Sequence, residues 1–265
     1  MAIAVTGLAL TPVKATQLRP VDRISLRPEG VRENRRFFLI DDRGRMVNSK
    51  NLGVLEQVIA DYDDAARRLR MTFPGGRVLA QDVLLGEEIQ TEFYSQPLAV
   101  RLVDGPWAEA LSELTGKPLR VVEAPDAHGA VDRRDEAGTV SLISRASLAR
   151  LAEVGGQESV DSRRFRMLIE IDGVPSHAED EWVGRQVQIG EASVSITGHV
   201  GRCLITSRHP ESGEVDLPTL DILRSYRTDV RTTEPLPFGV WGRVLSGGTV
   251  ALGDPVLAAD RLGSR

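Results

Sequence analysis

Apolar residues along this chain recur in short runs broken by Gly, Pro and Asp, a rhythm of strands and turns more than of helices. Residues 3–10 are apolar and meet Thr11-Pro12, which predicts a first strand ending in a turn, with Lys14 just beyond it. Phe37-Phe38-Leu39-Ile40, then Asp41-Asp42-Arg43-Gly44, then Met46-Val47 predict a strand, a tight turn and a returning strand. Further strands are expected at 54–60, 68–73, 78–83 and 98–103. Two stretches switch to a helical period. Residues 106–114 carry Pro106 where a first helical turn tolerates proline and Gly116 where the helix should stop. Near 144–154, Leu148, Leu151 and Ala152 share one helical face before Gly155-Gly156. The polar stretch 124–138 reads as a surface loop and as the boundary between two modules, 1–123 and 124–265. After it, strands are expected at 163–171, 186–189, 192–197 and 204–207, then a short helix at 218–225. Strands at 238–245 and 249–251 and a last short one after Gly253-Asp254-Pro255 close the chain. The pattern predicts a mainly β protein with a few helices, built as two packed β modules.

Composition changes this picture in three ways. With 265 residues, 41% hydrophobic and 27% charged, the chain has enough apolar surface for a sizeable core. A formal charge of −5 argues against a general nucleic-acid or membrane-surface binder and for a small-molecule partner. No apolar run reaches bilayer length, and MAIAVTGLAL lacks the basic flank of a secretory signal, so a cytoplasmic location is expected. Cys203 is the single cysteine. An internal disulfide, a CxxC pair, a four-Cys zinc site and an all-Cys iron–sulfur cluster are therefore excluded.

Cys203 follows Gly201-Arg202, with His199 four positions upstream. A neighbouring guanidinium favours the thiolate, the form that attacks electrophiles or binds soft metals. Set against this, a lone intracellular cysteine more often packs as a small buried hydrophobe. Arginine supplies 30 of the 33 basic residues, in part a compositional bias. Arg35-Arg36 and Arg163, Arg164 and Arg166 nevertheless stand at expected strand ends, where planar guanidinium forks can grip phosphate or carboxylate, or simply be solvated. Thr115-Gly116-Lys117 is no phosphate loop, because Leu111 and Pro118 occupy its key positions. G-x-S-x-G, H-E-x-x-H and a strand-to-helix G-x-G-x-x-G are missing from the sequence. His199 and Cys203 could join His209 in a zinc site or act as base and nucleophile, and Glu179-Asp180-Glu181 reads as a solvated turn more than a cation site.

Taken in order, Asp161-Ser162-Arg163-Arg164-Phe165-Arg166, Glu179-Asp180-Glu181-Trp182-Val183-Gly184, Ile189-Gly190, Gly201-Arg202-Cys203 with Thr206, and Ser212-Gly213 resemble the MOSC domain family. Leu223-Arg224-Ser225-Tyr226-Arg227, Pro237-Phe238-Gly239-Val240-Trp241-Gly242-Arg243 and Gly253-Asp254-Pro255-Val256 are similar to its closing segments. Upstream, Thr11-Pro12-Val13-Lys14, Arg35-Arg36-Phe37-Phe38 and Gly44-Arg45-Met46-Val47 resemble the N-terminal β-barrel module of the amidoxime-reducing branch. The sequence departs from that pattern at Ala15, at Asn34 and at Met167-Leu168, the last replacing a polar side chain; Thr139 or Ser141 could supply a nearby hydroxyl.

The resemblance implies a β-barrel MOSC core plus an N-terminal β-barrel module, and a molybdenum–pterin cofactor (molybdopterin). Cys203 would be the metal ligand and catalytic centre, with Lys14, Arg35, Arg166 and Arg202 binding the pterin and its phosphate. The activity so implied is an oxidoreductase acting on N-hydroxylated or N-oxide-type substrates. His199, Glu179 and Asp180 are candidate proton donors. With one cysteine the chain cannot hold its own Cys-ligated iron–sulfur centre, so electrons would come from a separate reductase, flavoprotein or haem protein. Two other readings stay open at this point: a sulfur or metal–sulfur carrier using Cys203, and a scaffold without cofactor.

Overall fold

The computed structural model describes residues 2–125, 139–232 and 234–261. Strand Phe37–Ile40 shows how the apolar pattern builds the first half. Successive side chains leave opposite faces of a strand, so Phe37 and Leu39 enter one core while Phe38 and Ile40 enter another. All four are fully buried, as expected for a strand covered on both sides. The predicted hairpin forms, with Leu39 opposite Val47 and Ile40 opposite Met46. On its other edge Phe37–Ile40 pairs with Arg120–Glu123, and Gln96–Asp104 and Leu84–Phe93 complete a five-stranded sheet. A three-stranded sheet of Ile59–Asp63, Arg68–Thr72 and Val78–Asp82 shares a core with Trp107 and Leu111 of helix α1 (Trp107–Thr115).

The second half is an eight-stranded sheet in the order Val256–Arg261, Arg185–Ile189, Ala192–Gly201, Pro237–Ser246, Thr139–Ser144, Ile169–Asp172, Ala4–Leu10 and Arg19–Pro20. The start of strand Ala4–Leu10 also meets the opposite edge: Val5 N donates to Asp254 O at 2.9 Å, and Val256 N donates to Ile3 O at 3.0 Å. The sheet thereby closes into a barrel around Leu8, Leu142, Ile169, Val187, Val194 and Val240. Three strands of the first stretch belong to this half, Ala4–Leu10 and Arg19–Pro20 within the sheet and Arg23–Leu26 beside it. Ala4–Leu10 pairs with Ile169–Asp172, and Arg23–Leu26 pairs with Gly248–Ala251, so sheet pairings cross the expected 123/124 division. Most of the expected boundary loop, 126–138, lies outside the described residues.

Three helices stand where the helical period places them. Helix α1 stops at Gly116, whose φ of 66° suits glycine. Helix α2 (Arg145–Val154) is started by Ser144 Oγ, which accepts from Ser147 N at 3.1 Å. Helix α3 (Thr219–Tyr226) follows Pro218. The protein is mainly β, an N-terminal β-barrel module joined to a β-barrel core. Among the described residues no helix is long and apolar enough to cross a membrane.

Three runs expected to be strands turn instead. Residues Gly53–Gln57, Ser162–Phe165 and Leu204–Ser207 are 3₁₀ turns, and strands begin only at Ile59 and Ile169 after the first two. A local cap explains the second, because Asp161 Oδ1 accepts from Arg163 N at 2.9 Å and draws the chain into a turn. All three turns lie at the junction of the two halves.

Candidate functional site

Four segments far apart in sequence converge on one cavity. At the first, Lys14 N donates to Phe37 O at 2.8 Å, and the Thr11 and Thr16 hydroxyls lie 2.7 Å apart. At the second, Arg35 N donates to Thr11 O at 2.6 Å, while Asn34 Oδ1 accepts from Thr11 N at 3.3 Å. Asn34 thus supplies the acceptor that a carboxylate would. The third is the capped turn ending at Arg166. The fourth is the end of strand Ala192–Gly201 with Arg202 and Cys203. Ala15 (φ 82°), Arg35 (φ 51°) and Arg166 (φ 55°) all hold left-handed backbone. That conformation costs a non-glycine residue about 1–2 kcal/mol and persists where the surroundings over-determine it, as at functional sites.

The cavity encloses about 210 Å³. Lys14, Arg35, Arg166, Arg202 and Cys203, the five residues singled out from sequence, all line it, together with Arg164, Tyr94, Ser141, Met167 and Trp241. Cys203 is exposed, which overturns the packing of this cysteine as a small buried hydrophobe. Its backbone carbonyl accepts from Thr206 N at 3.1 Å and Thr206 Oγ1 at 3.0 Å, anchoring the following turn.

Each cation is held differently. Arg202 is 7% exposed. Its Nε and Nη2 donate to Phe238 O, its Nη1 to Phe165 O at 2.8 Å, and its Nη2 also meets Met167 Sδ at 3.0 Å. These acceptors fix the direction of the guanidinium. Arg35, 3% exposed, donates from Nη2 to Arg166 O at 2.8 Å. Lys14, 7% exposed, places Nζ 5.4 Å from the Tyr94 ring centroid and 5.8 Å from that of Phe93. Arg166 clamps Glu56 through Nη1, at 3.0 and 2.9 Å from the two carboxylate oxygens, and donates from Nη2 to Thr16 O at 2.7 Å. Arg164 takes both oxygens of Asp216 at 2.6 Å. Its hydrogen bonds hold the Asp216 carboxyl below the ordinary carboxylate range, against the opposing effect of burial.

Other residues with chemical potential go elsewhere. His199 Nε2 lies 3.6 Å from Asp180 Oδ1 and does not line the cavity. His209 Nδ1 accepts from Ser212 N at 3.2 Å inside its own turn. Among the described residues no group of three His, Cys, Asp or Glu could hold a metal, so the His199, Cys203 and His209 zinc arrangement is not assembled. Nor are Glu179 and Asp180 a solvated turn. Glu179 is fully buried and accepts from Ser144 N, Ser144 Oγ and Ser147 Oγ at the start of α2, while Asp180 accepts from Arg227 at 2.7 Å. Both carboxylates serve structure here.

Sequence reasoning missed Tyr94, Asn48 and Ser49 in the lining. Tyr94 and Ser95 form a two-residue turn, at φ 48° and 64°, between Leu84–Phe93 and Gln96–Asp104. Neither is the Gly or Asn that announces such a turn. At the Met167-Leu168 departure, Met167 enters the cavity wall and Leu168 enters the barrel core. Ser141 Oγ accepts from Leu168 N at 3.0 Å and brings a hydroxyl to the cavity.

This donor set suits a metal whose other ligands arrive with an organic anion. It offers one exposed sulfur, no protein-only ligand cluster among the described residues, and a lining of buried cations. Compared with known proteins, residues 125–257 match the MOSC domain and residues 2–107 match the MOSC N-terminal beta barrel domain. The chain belongs to the MOSC domain family. MOSC domains are associated with molybdenum cofactor binding. A curated relative of this MOSC protein, the Oryza sativa subsp. japonica protein described as molybdenum cofactor sulfurase, is 24% identical over 258 residues. The match covers 85% of this chain but only 31% of that relative, so the MOSC chain spans about a third of its length. Among solved structures, the YuaD protein from Bacillus subtilis has a TM-score of 0.41 at 11% identity, covering 97% of this chain and 94% of that one. YiiM from Geobacillus stearothermophilus has a TM-score of 0.35 at 16% identity, covering 46% and 54%.

Proposed function

We propose that this MOSC protein is a molybdenum-cofactor-binding oxidoreductase that reduces N-hydroxylated or N-oxide-type small molecules, with Cys203 as the metal ligand. The observation that carries the reading is the exposed Cys203 thiol in a cavity lined by Lys14, Arg35, Arg166 and Arg202. When bound, a molybdenum–pterin group supplies two-electron oxygen-atom-transfer chemistry. The chain's own residues would do the rest. Cys203 provides the soft donor atom. Arg35, Arg202 and Lys14, nearly excluded from water, hold the anionic part by charge-assisted hydrogen bonds. Tyr94 and Trp241 wall the cavity and limit water around the reacting atoms.

The reaction takes up two electrons and two protons per N–O bond cleaved and releases water. Protons would enter from solvent at the open mouth where Cys203 lies, since neither His199 nor Glu179 lines the cavity. Electrons would come from a separate reductase, flavoprotein or haem protein. The test is reduction of an N-hydroxyamidine by protein loaded in a cofactor-replete host, driven by chemically reduced viologen. Turnover that Cys203→Ala abolishes is expected. Loaded protein that leaves the N–O bond intact would overturn the reading, and recovery of sulfane sulfur on Cys203 would instead indicate a carrier.

A further inference from the structure

One of the cavity's cations, Arg166, is held by a buried carboxylate that lies outside the cavity lining. Glu56, 3% exposed, lies in the turn Gly53–Gln57 of the first half and reaches Arg166 of the second. Both of its oxygens take Arg166 Nη1, at 3.0 and 2.9 Å. Arg166 Nη2 is held by Thr16 O at 2.7 Å, and the residue's left-handed backbone fixes where the side chain starts. The guanidinium therefore faces the cavity on one side and a buried negative charge on the other. Arg164 also pairs with a carboxylate, but Asp216 is about a third exposed, so water screens it. Glu56 has no such screening, and at 3 Å its charge offsets much of what Arg166 presents to an anion.

We propose that Glu56 is a positioning residue that sets the anion affinity of the cavity, by fixing Arg166 and withholding part of its charge. The proposal rests on the reading of this cavity as an anion-holding site and names what regulates it.

The test is calorimetric titration of inorganic phosphate into the full chain prepared without bound cofactor. Glu56→Gln keeps the shape and one acceptor while removing the charge. It is expected to bind phosphate about tenfold more tightly than the unaltered chain, about 1.4 kcal/mol. In an Arg166→Met background the same change should bring no gain. If Glu56→Gln does not fold, Glu56→Ser carries the same expectation, with circular dichroism confirming the fold. Merely structural loss would weaken binding, not strengthen it. Phosphate binding that is unchanged or weaker in the folded neutral variant overturns the inference alone. Binding by neither protein overturns the anion-site reading along with it.

Discussion

Gly53 and Gly213 meet backbone to backbone across the junction of the two halves: a methyl group built on Gly213 would collide with the Gly53 carbonyl oxygen. Polar contacts reinforce the approach. Arg208 donates to Gly213 O at 2.6 Å and Lys50 O at 2.9 Å, and Gln57 Nε2 donates to Ser212 O at 3.0 Å. The segment that follows Cys203 is thereby pinned to the half that carries Lys14 and Arg35. Close approach of main chains is what keeps the thiol and those cations in one cavity.

Gly213→Ala should therefore destabilise the protein by about 2–4 kcal/mol, combining a clash with a φ of 74°. Gly75 has a similar φ of 78° but open space around it, so Gly75→Ala should cost about 1 kcal/mol. Urea unfolding of both variants separates the effects. Equal losses would show that the junction yields to the methyl group.

Arg164 and Asp216 make a second prediction. The folded-state pKa of Asp216 is lowered, so the pair contributes stability above the unfolded value of about 3.8 and loses it as pH falls through the depressed value. Arg164→Met should flatten the acid limb of a stability–pH profile measured between pH 5 and pH 2. An unchanged acid limb would show that the pair contributes nothing.

His177 acts in the neighbouring window. Burial, and then the Arg227 charge, push its pKa down from 6.5 to about 4. Between those values the unfolded chain binds more protons than the folded one, so stability falls as pH drops from 6.5 and the loss is complete below about 4. His177→Asn, which tolerates the φ of 63°, should reduce the drop in Tm between pH 7 and pH 4.5. The same drop in both proteins would contradict this.

The site was more legible in the sequence than the route of the chain to it. Lys14, Arg35, Arg166, Arg202 and Cys203 sit in local motifs, and all five reach the cavity. Glu56 gave no such signal, because its partner lies 110 positions away and only the folded junction joins them. Strand Leu84–Phe93 was missed because Glu87, Glu88, Gln90 and Glu92 interrupt its apolar residues and most of it faces solvent. The turns at 162–165 and 204–207 look like strands in composition, but the Asp161 cap bends the first, and in the second Thr206 Oγ1 turns back to donate to Cys203 O. Glu179 was misread for the opposite reason: an acidic run suggests solvent, whereas three donors from Ser144 and Ser147 make burial of one carboxylate tolerable.

Molybdenum content per chain, measured by mass spectrometry on protein from a molybdenum-replete host, tests the central claim most directly. Stoichiometric metal in the unaltered chain, lost in Cys203→Ser that folds normally, is the predicted result. Metal retained in full by Cys203→Ser, or a folded unaltered chain that never acquires molybdenum, would contradict the assignment of this thiol.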